Sequence, residues 1–124
     1  MAAAGVPVGD YTRTVLARLG LSDLVGKAVS QETDVREVLA KVALGEADAG
    51  FVYSTDARTV PGQVTVLKMP AWAQPKVQYG ICVVKSSANV AAAQAFIRTV
   101  LSKAGQAKLL AAGFLPRVKP KPAP

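Results

Sequence analysis

Apolar residues recur at helical spacing in some stretches of this chain and bunch into short runs in others. Over 8–19, Tyr11, Val15 and Leu19 fall at i, i+4 and i+8, and Gly20 follows as a stop, which predicts a helix. LSDLVGKAV (21–29) reads as a short helical turn leading into an extended piece. Val35, Val38, Leu39 and Val42 give one apolar stripe to a helix over 35–44, with Asp34 or Thr33 as its N-cap and Gly45 as its stop. Near the end, Ala93, Phe96, Ile97, Val100 and Leu101 share a face of a helix over 90–101 that Asn89 can cap. Ser102 can cap a further helix ending near Ala112, with Gly113 at the left-handed C′ position.

Between these lie three strand signals. AGFVYS (49–54) and VTVLKM (64–69) are short apolar runs, and VQYGICVV (77–84), rich in β-branched and aromatic residues, is the strongest of the three. Pro61-Gly62 marks a turn, and the irregular Pro70–Pro75 stretch holds the single tryptophan, Trp72. The alternation predicts an α/β chain in two parts. Residues 1–75 mix helix and strand, residues 76–116 are a strand followed by two helices, and RVKPKPAP (117–124) is a basic, proline-rich tail expected to be disordered.

Composition narrows the chemistry. With 124 residues, 51% hydrophobic and 19% charged, the chain can bury a core. The net charge of +7 is unevenly placed: residues 1–56 hold five bases and all eight acids, and residues 57–124 hold ten bases and no acid. A half of one sign raises nucleic acid or an anionic surface as a partner. Yet the bases are scattered singly, and no aromatics interleave with them to stack bases, so a solvated basic face explains them and nucleic acid is not favoured. The chain has no histidine, which excludes Ser-His-Asp triads and His-ligated metals. A single cysteine, Cys82, permits neither an internal disulfide nor a thiolate zinc site. No metal site, cofactor or enzymatic activity is expected. No run approaches 18 apolar residues, so no transmembrane helix is expected. MAAAGVPVGDY lacks a basic n-region and a long apolar core, so no signal peptide is expected in this chain either.

Three features point to oxyanion binding. VPVGDY (6–11) opens from a Pro/Gly-shaped loop into a helix, leaving backbone N–H groups without internal partners at the positive end of a helix dipole. QETDVREVL (31–39) presents a second helix start, whose Asp34 must turn away from any anion or cap its own backbone. GFVYSTDA (50–57) ends a buried strand on Tyr53, at the carboxyl edge where α/β folds place ligands. Each has a plainer reading: most helix starts bind nothing, and most tyrosines of this kind are core or rim aromatics.

At these segments the chain resembles the periplasmic molybdate-binding proteins of ABC uptake systems, a branch of the type II periplasmic binding proteins. VPVGDYTRTVLARLGL (6–21) is similar to that family's VPAG–Y segment. DVREVLAKVALGEADAGFVYSTDA (34–57) resembles its most specific block, which runs from DVR through GEADAG to VY and DA. KVQYGICVVKSSANVAAAQAFIRTVLSKAGQAKLLAAGFLP (76–116) resembles its closing strand and helices. The resemblance implies the second lobe of a two-lobe fold over 1–75, with the return crossover strand and closing helices of the first lobe over 76–116. That is an incomplete two-lobe fold without the N-terminal half of lobe one.

It further implies a tetrahedral oxyanion, molybdate or tungstate, held without charged side chains. The donors carried over are the backbone N–H of Val8, the backbone N–H of Val35 and the hydroxyl of Tyr53. The family usually has alanine where this chain has Val8, so a wider side chain is expected to narrow the pocket. An ABC permease as partner and a periplasmic or envelope-exterior location also follow from the resemblance. So do binding impaired by the missing donors, and association with a first lobe or with a second copy through the apolar faces of the closing helices.

Overall fold

The computed structural model describes residues 1–118. Most of the expected tail, from Lys119 to Pro124, lies outside the described residues. The chain divides into two compact units, the first Met1–Val77 and the second beginning at Gln78.

In the first unit, α1 spans Pro7–Arg18. Proline at its first position needs no N–H partner there, Asp10 in the first turn and Arg18 in the last suit the helix dipole, and Gly20 at φ +73° ends it. The Leu21 N–H returns to Leu16 O at 2.8 Å, which satisfies a carbonyl the helix leaves open. The buried face is Val8, Thr12, Val15 and Leu16, rotated from the Tyr11–Val15–Leu19 stripe that the periodicity predicts. Thr12 is buried because its hydroxyl donates to Val8 O at 2.6 Å, so its polar atom is satisfied within the helix. A 3₁₀ turn follows at Ser22–Lys27, and then α2, Val35–Ala43, which buries Val38 and Leu39.

Segment 1–3 runs beside the entry to α2 as a parallel bridge between Ala2 and Glu32. The Ala3 N–H donates to Glu32 O at 2.8 Å, and the Glu32 N–H donates to Met1 O at 3.0 Å. The same segment sits tightly over the first turn of α1. A Cβ on Gly9 would collide with the Ala3 carbonyl oxygen and come within 2.7 Å of that of Ala2. At its far end α1 is tied to the 70–74 turn, where Arg18 Nη1 donates to Ala73 O at 3.3 Å and to Gln74 O at 2.7 Å.

The three expected strands form no ladder. Among the described residues, the Ala2–Glu32 bridge is the only β pairing, so the α/β expectation is met in its helices and not in its sheet. A strand exists only through hydrogen bonds to a neighbour, and no described segment pairs with 49–54, 64–69 or 77–84. The first of these runs ends early, because Ser54–Ala57 turn into a one-turn helix, α3.

The second unit holds α4, Val90–Leu101, and α5, Lys103–Ala111. Asn89 makes no side-chain cap; instead its own N–H donates to Ser87 Oγ at 3.1 Å. Ser102 serves both helices, donating to Thr99 O at 2.7 Å and accepting the Gly105 N–H at 3.1 Å. Gln106 Nε2 adds a bond to Val100 O at 2.8 Å, and the ring of Tyr79 meets Phe114 edge-on at 5.8 Å. No residue of either helix is buried. Cys82, expected within an apolar strand, is exposed.

Candidate functional site

The segments carrying Val8, Val35 and Tyr53 come together in the first unit. Val8 forms a small buried cluster with Ala2 and Val38, and Val35, Val52 and Tyr53 pack against it. Val8 is only 5% exposed, so its isopropyl group is taken up by the core.

The backbone at the two helix starts is arranged as follows. The first turn of α1 closes with the Asp10 N–H on Val6 O at 3.1 Å, so the N–H groups of Val8 and Gly9 precede the first intrahelical bond. At α2 the Asp34 carboxylate accepts the Arg36 N–H at 2.6 Å. Its charge is thereby engaged with its own helix, and the Val35 N–H stands one position ahead of that cap. Thr33, the other candidate cap, donates instead to Glu37 Oε2 at 3.3 Å.

Tyr53 sits at the N-cap of α3 with extended backbone (φ −74°, ψ 153°). Its N–H donates to Asp56 Oδ2 at 3.1 Å and its carbonyl accepts the Asp56 N–H at 3.0 Å, a reciprocal pair that fixes the turn. Its ring meets Tyr11 of α1 edge-on, with centroids 6.4 Å apart and planes at 70°.

Tyr11 is a contact that the residue-by-residue reading assigns no role. The signal was available: it lies three positions after Val8, on the same side of one helical turn. Arg13 is a second. Its guanidinium joins α1, segment 1–3 and the loop before α2 through Gly9 O at 3.0 Å, Ala2 O at 3.3 Å and Gln31 Oε1 at 3.1 Å.

A groove of about 420 Å³ lies elsewhere on this unit, lined by Arg36, Leu39, Ala40, Asp56, Thr59 and Val60. It includes none of the three candidate donors. Among the described residues, no three Asp, Glu, His or Cys side chains gather as a metal-binding group. No described helix is long and apolar enough to cross a membrane.

The chain is 38% identical over 109 residues to the molybdate-binding protein ModA of Mycobacterium tuberculosis (strain ATCC 25618 / H37Rv), covering 88% of this chain and 41% of that protein. It is 37% identical over 111 residues to ModA of Haemophilus influenzae, covering 90% of this chain and 43% of the relative. Against ModA of Escherichia coli K12 the figure is 36% over 84 residues, or 68% of this chain and 33% of the relative. The chain thus spans about two fifths of the length of the first two of these relatives. No solved structure matches it significantly. Residues 1–115 match the family model described as bacterial extracellular solute-binding protein, and the chain belongs to that family of binding proteins rather than to a family of enzymes.

Proposed function

We propose that this chain contributes one side of a tetrahedral-oxyanion site in an ABC uptake receptor, with molybdate or tungstate as ligand. The observation that carries the proposal is the meeting of α1, α2 and Tyr53 on one apolar cluster, in a chain whose relatives are named molybdate-binding proteins. The donors are the Val8 N–H, the Val35 N–H and the Tyr53 hydroxyl. Two are backbone groups at the positive ends of helix dipoles and the third is a neutral phenol, so a dianion is stabilised by dipoles without a fixed ion pair. Such a site binds and releases its cargo without leaving a buried charge unpaired.

In this reading residues 1–75 are second-lobe structure and 76–116 close the first lobe. The remaining donors come from the first lobe, an ABC permease receives the ligand, and the receptor works outside the cytoplasmic membrane. The family match gives no support to the nucleic-acid reading of the basic second half.

Thermal unfolding with sodium tungstate or molybdate tests the proposal. Ligand at a hundredfold excess over Kd stabilises the folded state by about 2.7 kcal/mol, which raises Tm by several degrees. Tyr53→Phe keeps the ring against Tyr11 and removes one hydrogen bond to a charged ligand, worth about 1.5–3 kcal/mol, so most of the rise disappears. An unchanged Tm with both anions, in this chain and in the chain joined to a first lobe alike, defeats the proposal.

A further inference from the structure

We propose that Arg13 is a positioning residue that sets the spacing of the two donor helix starts; this rests on the oxyanion reading above. Arg13 lies one turn past Gly9 on α1. Its Nη1 donates to Gly9 O at 3.0 Å and to Ala2 O at 3.3 Å, and its Nη2 donates to Gln31 Oε1 at 3.1 Å. A single planar group therefore spans the first turn of α1, segment 1–3 and the loop entering α2. Each anchor is close in sequence to a donor: Gly9 follows Val8, and Gln31 precedes Val35 by four residues.

The backbone around it is built for this contact. Because Gly9 has no side chain, the Ala2 and Ala3 carbonyls can lie over the first turn of α1, which brings Ala2 O to the guanidinium. The parallel bridge then carries segment 1–3 to Glu32, two residues before the cap of α2. Arginine suits the task because its donors are fixed in a rigid fork, whereas a lysine ammonium is a point charge on a flexible stem. No carboxylate pairs with Arg13 among the described residues, and its partners are carbonyl oxygens. Its role is thus to hold geometry through dipoles.

Arg18 provides the contrast. It ties the other end of α1 to Ala73 and Gln74, away from both donor starts. A residue that merely holds the unit together should behave like Arg18.

The test is tungstate titration and backbone amide exchange on the full chain, comparing wild type, Arg13→Ala, Arg13→Lys and Arg18→Ala. A displaced donor costs about one charged hydrogen bond, so Arg13→Ala should weaken tungstate binding about tenfold. Arg13→Lys should recover only part of that, and Arg18→Ala should lower Tm while leaving Kd unchanged. Without ligand, Arg13→Ala should speed amide exchange at Ala3 and Glu32, and Arg18→Ala should not. Equal affinities for wild type and Arg13→Ala overturn the proposal, and so does an equal loss in Arg18→Ala. If the wild type binds no tungstate, amide exchange alone decides: selective loosening by Arg13→Ala upholds the clamp, and unchanged exchange removes it.

Discussion

The two units use the same local signals and reach different ends. Both contain helices stopped by a positive-φ glycine and opened by a side-chain cap, Asp34 for α2 and Ser102 for α5. In the first unit α1 and α2 bury Val8, Val15, Leu16, Val38 and Leu39. In the second, α4 and α5 bury nothing, and Phe96 is 63% exposed. Their junction rests on polar contacts instead: Ser102 on Thr99, Gly105 on Ser102 and Gln106 on Val100. Caps and stops decide where a helix begins and ends. An opposing apolar surface decides whether it is stable, because helices of 12 and 9 residues are marginal alone in water.

The largest test of this contrast is Leu16→Ala. At 2% exposure, its loss should cost about 2–5 kcal/mol and abolish cooperative melting of the first unit, read by circular dichroism. Gly9→Ala comes next: its Cβ would strike the carbonyls of segment 1–3, and denaturant titration should show a loss of roughly 1–3 kcal/mol. Cap removal is smaller. Asp34→Ala and Ser102→Ala should each cost about 1 kcal/mol locally. Amide exchange should spread that loss through the first unit for Asp34 and confine it to α5 for Ser102. Smallest of all is Phe96→Ala, expected within about 0.5 kcal/mol. A loss as large as that of Leu16→Ala would show that the second unit has a core of its own and would end the contrast.

Helix boundaries were the most legible part of the fold. The periodic stripes place α1, α2 and α4 within a residue or so of their observed ends, because caps and glycine stops act on the local chain. The buried face of α1 was less legible. Thr12 counts as polar in a pattern, and only its bond to Val8 O makes it a core residue. The strands were less legible for a different reason. AGFVYS, VTVLKM and VQYGICVV have strand composition, but pairing belongs to two segments at once, and no single run encodes its neighbour.

The candidate site follows the same division. The segments of Val8, Val35 and Tyr53, which meet on one apolar cluster, were legible as candidates through family resemblance and helix-start chemistry. Tyr11 and Arg13 were not, because their meaning lies in contacts with Tyr53, Ala2 and Gln31 that no local window contains.

The tie between Arg18 and the 70–74 turn bears on the order of folding. It joins residues 55 and 56 positions apart, whereas Arg13 reaches back 11 residues to Ala2 and forward 18 to Gln31. During synthesis the junction of α1 with α2 has all its parts once Tyr53 is made, and the Arg18 closure waits for Gln74. At about 5–20 residues per second, that gap is roughly one to four seconds. For that interval the chain holds every residue of the junction while the C-terminal end of α1 still lacks the turn that Arg18 ties to it.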